Sequence, residues 1–287
     1  MTAVLPVPGY LRSPVLLVMV GILSVQFGAA VAKDLFDVAS PTTVVWLRLL
    51  TSAVVLLAWA RPRLRGRSRR DWQVVVGFGA ALGLMNWSIY QAFSRIPLGI
   101  AVTLEFVGPL ALAVLGSRRP RDLLWVLLAA CGVVFLGIEP GTVTWAGVGF
   151  ALLAGTAWAA YILLSQATGA RWAGIDGLAV ASTIAAVGLA PVALAYADGL
   201  DSPRVWLLGA LVGVLSSVVP YSCELVALRS LSSAVFGILM SLEPAAAALA
   251  GLLVVGETLS LLQWLAIVCV VVASVGATRS SPAPAVV

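Results

Sequence analysis

Residues Asn86–Pro109, NWSIYQAFSRIPLGIAVTLEFVGP, decide how the rest of the chain is read. Two apolar segments meet at a turn, Arg95-Ile96-Pro97, and the second segment carries Glu105. An acid within an otherwise uncharged, membrane-length helix is costly and marks a functional cavity by default. Pro109 has no N–H, so the carbonyl of Glu105, four residues earlier, loses its helical partner. Glu243-Pro244 sets an acid beside a proline again in the other half of the chain.

The composition names the solvent. Of 287 residues, 61% are hydrophobic and only 10% charged, and the mean hydropathy is +1.08. A soluble domain carries about a quarter charged residues, and this much apolar surface exceeds what one core hides. The expected class is therefore an all-α, polytopic membrane protein with the lipid bilayer as its surroundings. The net charge of +5 comes from arginines gathered in loops. That pattern argues for membrane orientation and against a nucleic-acid partner. The absence of histidine removes histidine triads, HExxH zinc sites and histidine proton relays. Cys131, Cys223 and Cys269 each stand alone in apolar runs and read as packing residues. No metal or other cofactor is expected.

Residues 1–13 read as a proline-containing tail. Ten apolar runs of spanning length follow. The first five lie near Pro14–Ala32, Thr42–Ala60, Trp72–Ser94, Pro97–Gly116 and Leu123–Ile138. The second five lie near Trp145–Ser165, Gly177–Ala197, Val205–Leu228, Ser232–Val255 and Leu259–Thr278. Ala30-Val31-Ala32 resembles a signal-peptidase site, but the region before the first run has Arg12 as its one cation and that run is long enough to span. It is read as a retained helix.

Charge sorting supports ten spans. With the N-terminus in the cytoplasm, inside loops hold Arg12, the arginines from Arg61 to Arg70, Arg118, Arg119, Arg121, Arg171, Arg229 and Arg279. Outside loops hold Lys33, Arg95 and Arg204, together with the acids Asp34, Asp37, Glu139, Asp198, Asp201 and Glu257. This asymmetry follows the positive-inside rule and puts both termini in the cytoplasm. The halves, 14–139 and 145–278, also echo each other. Ala29-Ala30 matches Ala159-Ala160, Tyr90 matches Tyr221 and Pro109 matches Pro244 at nearly constant spacing. Five helices is an odd number, so the second half enters with opposite polarity. The expected architecture is ten transmembrane helices as two inverted five-helix repeats, closed by a cytoplasmic tail at 279–287.

Several polar residues sit at depth. Gly79, Gly83, Asn86 and Tyr90 form one stripe on the third run, and Asn86 and Tyr90 serve either as interhelical bonds or as substrate contacts. Gly79/Gly83 and Gly209/Gly213 are GxxxG pairs of the kind that packs helices closely. Gln26 is a cavity candidate on the first run, with Lys33 nearer the outer rim and expected to snorkel. Arg48 either snorkels too or offers a bidentate partner to a carboxylate. Thr156, Trp158 and Tyr161 lie too deep for an interfacial belt, so the two aromatics either pack or face an ammonium group. Ser217, Pro220, Tyr221 and Glu224 share a face, and Pro220 frees the carbonyl of Ser216 beside what reads as a wet cavity. Glu224 is placed nearer the cytoplasmic end, paired with Arg229. Glu257 is expected to cap the last helix. Glu105 and Glu243 have the depth for proton coupling; the alternative for each is a neutral acid bonded to a neighbour.

Together these motifs resemble the EamA branch of the drug/metabolite transporter superfamily, and within it the RhtA-like threonine/homoserine exporters. The carrying stretches are Gly83–Asn86, Arg95–Val102, Leu104–Pro109 and Gly116–Arg119 in the first half. Ala151–Gly155, Pro220-Tyr221, Ser241–Pro244 and Ala250–Leu253 carry it in the second. The resemblance implies a bacterial inner-membrane secondary transporter, not an enzyme, exporting small amino acids or related metabolites by proton-coupled alternating access. The alternatives are an exporter of another small metabolite or drug, or a passive channel or scaffold. The substrate residues expected on these grounds are Gln26, Arg48, Asn86, Tyr90, Glu105, Trp158, Tyr161, Tyr221 and Glu243, with Glu105 and Glu243 also carrying protons.

Overall fold

The computed structural model describes residues 13–115, 123–138, 143–196, 199–227, 230–231 and 233–280. Expectations placed on the N-terminal tail with Arg12, on Arg118, Arg119, Arg121, Glu139, Asp198 and Arg229, and on residues 281–287 lie outside them. The described elements are helical. They are α1 (Pro14–Asp34), α2 (Pro41–Ala60), α3 (Arg69–Phe93), α4 (Leu98–Glu105), α5 (Val107–Leu115), α6 (Leu123–Ile138) and α7 (Trp145–Gly169). After these come α8 (Asp176–Tyr196), α9 (Pro203–Gly213), α10 (Val219–Ala227), α11 (Ser233–Met240), α12 (Glu243–Ala250) and α13 (Leu261–Ser280). Two π-helical turns, Val214–Val218 and Gly251–Val255, continue α9 and α12.

Local chemistry explains where the helices begin. Pro14, Pro41 and Pro203 occupy first-turn positions, where a missing N–H costs nothing. The Ser40 hydroxyl accepts from Thr43 N, Ser68 and Asp71 form a capping box, and Thr144 caps α7. Eight helical stretches among the described residues are long and apolar enough to cross a membrane. Two of the ten expected runs fall short of that length: the fourth has the apolar stretch Leu98–Leu112, and α6 has 16 residues. Large apolar side chains such as Leu115, Trp145, Leu207 and Leu261 cover the outside. That is the surface of a protein solvated by lipid.

The densest helix contacts join the two halves of the chain. Helix α3 packs on α7 and α8, α2 on α8 and α9, α1 on α10 and α12, α4 on α12, and α6 on α13. Small residues permit several of these approaches. A Cβ on Gly79 would lie 2.8 Å from the Ala181 carbonyl oxygen, and one on Gly209 would lie 2.6 Å from Leu47. The tightest approach is at the break between α4 and α5. There a Cβ on Gly108 would meet the Gly155 carbonyl at 1.9 Å, and one on Gly155 would meet the Glu105 carbonyl at 2.5 Å. The backbone that Pro109 disrupts is thus laid directly on α7.

The two ends of the bundle are tied differently. At one end, the Lys33 ammonium pairs with Glu257 and donates to the Ile96 carbonyl at 2.8 Å. The other Glu257 oxygen accepts from Leu98 N at 2.8 Å. Glu257 therefore caps α4 across the molecule; α13 is capped instead by Ser260 and Gln263, which bond reciprocally. Lys33 is half-buried, with its ammonium held in this pair instead of snorkelling. At the other end, Arg67 stacks on Trp172 with its guanidinium carbon 4.3 Å from the ring centroid, and Arg171 pairs with Asp71 at 3.1 Å. Pro14, Ser280 and the arginine-rich loop before α3 share this second end.

Candidate functional site

A cavity of about 410 Å³ lies between the halves of the chain. Its wall is mostly apolar, built from residues such as Val25, Ile89, Phe93, Val102, Phe106 and Met240. Polar and charged groups enter at particular places. Gln26 comes from α1, Arg48 from α2, Asn86 from α3, Glu105 from the end of α4, Trp158 and Tyr161 from α7, Tyr221 and Glu224 from α10, and Glu243 from the start of α12.

Helix irregularity delivers most of the charge. Glu105 closes α4 where the run breaks before Val107, and Glu243 opens α12 after the break at Ser241-Leu242. Each broken run thus ends or starts on an acid at the cavity. Ser216 sits in the first π turn, and its carbonyl, freed by Pro220, accepts from Arg48 Nη2 at 3.1 Å. The neighbouring Leu215 carbonyl accepts from Ser24 Oγ at 2.6 Å. Arg48 is consequently drawn inward and does not snorkel.

Eight of the nine residues expected at the site line this one cavity. Gln26 is 2% exposed, with Oε1 unpartnered. Asn86 donates back to the Leu82 carbonyl at 2.9 Å. Trp158 meets Phe106 edge-on at 4.9 Å, and Tyr161 lies 5.0 Å from Phe78. Tyr90 is the ninth and is placed elsewhere. It is fully buried between Phe36 and Phe93, with the Arg48 guanidinium 5.6 Å from its ring centroid. It stands behind Arg48 and not beside Trp158. Thr156 points away from the site, bonding the Leu152 carbonyl from an exposed position.

Among the lining residues outside that expected set are Glu224 and Ser216. Glu224 faces the cavity with Glu105 and Glu243; its expected partner Arg229 lies outside the described residues. The signal was present in the face shared by Ser217, Pro220, Tyr221 and Glu224. Ser216 offers a buried hydroxyl as well as its carbonyl. The ion pairs among the described residues are Lys33–Glu257, Arg67–Asp176 and Arg171–Asp71, so none engages the three cavity carboxylates. No cluster among the described residues has three metal-ligating side chains. One guanidinium and three carboxylates in a low-dielectric wall interact strongly with any charged solute that enters.

A helical bundle with an apolar outer surface and a charged inner cavity is built to move a polar solute through lipid. Comparison with known proteins places it further. Residues 145–279 match the EamA-like transporter family. The chain is 42% identical over 92% of its length to the threonine/homoserine exporter RhtA of Salmonella typhimurium strain LT2, covering 91% of that protein. It is 41% identical over 94% of its length to the threonine/homoserine exporter RhtA of Escherichia coli K12, covering 95% of it. A chain of known crystal structure shares the fold with a TM-score of 0.63 at 22% identity, over 94% of this chain and 97% of that one. The protein belongs to the EamA-like transporter family and is a membrane transporter, not an enzyme.

Proposed function

We propose that the protein exports small amino acids of the threonine/homoserine kind, or related metabolites, across a bacterial inner membrane by proton-coupled alternating access. The observation that carries this reading is the meeting of Glu105 and Glu243, each at the break of a membrane run, in one cavity with Arg48. Such a cavity suits a zwitterion, with Arg48 toward the carboxylate and the acids with Trp158 and Tyr161 toward the ammonium. The names of the relatives supply the substrate class.

The contact pattern supports ten spans in two inverted repeats. Exchanging each helix run for its counterpart five runs away turns the α3–α7 contact into α10–α1. It likewise turns the Gly79/Gly83 seam on α8 into the Gly209/Gly213 seam on α2. A pseudo-twofold axis of this kind underlies rocking transporters. Lys33–Glu257 closes the outer end, and the end holding Pro14, Ser280 and the Arg61–Arg70 loop faces the cytoplasm.

An acid in the cavity that binds either a proton or the substrate ammonium links the two fluxes at one place. The test is counterflow of labelled threonine and homoserine in proteoliposomes, with and without an imposed pH difference. Saturable transport accelerated by the gradient supports the reading. Transport indifferent to pH favours a passive channel, and no transport of either solute points to another metabolite.

A further inference from the structure

The polar groups around Arg48 are arranged for an anion. Arg48 Nε, the Tyr90 hydroxyl and the Ser216 hydroxyl are all buried, and none makes a hydrogen bond of good geometry, although the Tyr90 hydroxyl lies within reach of the other two residues. They come from three different elements, α2, α3 and the first π turn, and the Tyr90 hydroxyl adjoins both Arg48 and Ser216. Tyr90 is 0% exposed and Ser216 3%, so water in the cavity does not solvate these side chains freely. Their positions are held from outside. Phe36 and Phe93 flank the Tyr90 ring at 6.1 and 5.6 Å. Ser216 Oγ rests against Gly28, where a Cβ would come within 2.4 Å of it.

A buried donor without a well-formed partner is costly, and here two such hydroxyls stand beside a guanidinium whose own Nε is also unbonded. The complement to a cation with one N–H and two O–H donors is a planar anion with several lone pairs. We propose that Arg48, Tyr90 and Ser216 form the notch that takes the substrate's carboxylate. This rests on the reading of the cavity as an amino-acid site and goes beyond it by naming Ser216 and Tyr90 as specificity-determining residues. In this arrangement Arg48 Nη2 holds the Ser216 carbonyl, and the guanidinium lies against the Tyr90 hydroxyl with Ser216 beside it. An arriving carboxylate takes the guanidinium bidentately, draws it off that carbonyl and meets the two hydroxyls beside it. Glu105, Glu224 and Glu243 line the same cavity, so a plain carboxylic acid is repelled and one that also bears an ammonium is admitted.

The experiment uses full-length protein in proteoliposomes, with threonine and threoninol competing against labelled threonine in counterflow. Threoninol replaces the carboxylate with a hydroxymethyl group and keeps the ammonium. Wild type is expected to bind threonine at least about tenfold more tightly than threoninol. Ser216→Ala and Tyr90→Phe, each compared at equal insertion, are expected to weaken threonine about tenfold and to leave threoninol unchanged. Equal losses for both competitors indicate a packing role, and no loss for either removes the notch; each result overturns the proposal. If wild type shows no counterflow of threonine or homoserine, the substrate reading fails separately. The notch is then tested by thermal stabilisation with a panel of amino acids and their amino-alcohol counterparts. A preference for the amino acids that Ser216→Ala abolishes supports it. A preference that survives the substitution, or none in wild type, refutes it.

Discussion

Lys33 and Glu257 form an ion pair between the end of α1 and the loop before α13, with side chains only 17% and 14% exposed. Both partners are also spent on backbone: Lys33 on the Ile96 carbonyl and Glu257 on Leu98 N. Three chain segments therefore converge on one charge pair. Removing one partner strands a mostly buried charge, at a cost of about 3 kcal/mol. Glu257→Ala and Lys33→Ala are each expected to lower the melting temperature in detergent, and Lys33→Met with Glu257→Leu to recover much of the loss. Single variants as stable as wild type would show that the pair does not hold this end.

The backbone seam between Gly108 and Gly155 leaves no room for a side chain. Gly108→Ala and Gly155→Val are expected to abolish correctly folded protein, measured as monodisperse yield after extraction. Gly149 is the control on the same helix: it is exposed, and a Cβ there meets nothing within 4 Å. Gly149→Ala should hold or raise stability by up to about 1 kcal/mol, the difference in helix propensity. Comparable yields for all three variants would contradict the seam.

Trp158 and Tyr161 present aromatic surface to the cavity from one helix. If they receive the ammonium, Trp158→Leu is expected to raise the KM for transport about fivefold or more, the scale of one cation–π contact. Tyr161→Phe keeps the ring face and should change it little. Unchanged KM in Trp158→Leu at normal insertion would place the ammonium elsewhere.

Much of this was legible in the chain. Over its described residues each of the ten apolar runs is largely helical, the fourth and ninth with a break, because length and hydropathy are local properties. The carbonyl freed by Pro220 was legible too, since the missing N–H is written in the residue itself. Its partner was not. Arg48 lies 168 residues away, and periodicity tells which face a residue occupies but not what the face meets. The same limit explains Tyr90, expected at the substrate with Asn86 from their shared stripe yet packed behind Arg48. It explains Glu257 as well, which caps a helix 159 residues distant in place of the adjacent one. The breaks before Glu243 and after Glu105 depend on packing against α1 and α7, so depth estimates from uninterrupted runs missed how the two acids are presented.

The orientation of the bundle is checked by reporter fusions. A fusion after Arg279 and another within Arg61–Arg70 are both expected to report cytoplasm, because Pro14, Ser280 and that loop share one end. Opposite locations for the two would break the shared-end geometry; periplasmic signals from both would invert it.

The central claim is that a cavity glutamate couples protons to substrate. The most direct measurement is accumulation of labelled threonine or homoserine in proteoliposomes under an imposed pH difference, for wild type, Glu105→Gln and Glu243→Gln. Glutamine keeps the shape of the side chain but cannot release a proton. Wild type is expected to accumulate substrate against its gradient. At least one variant should lose accumulation by about tenfold or more while retaining exchange of substrate for substrate. If both variants, inserted at normal levels, still accumulate substrate as wild type does, coupling through these two glutamates is wrong.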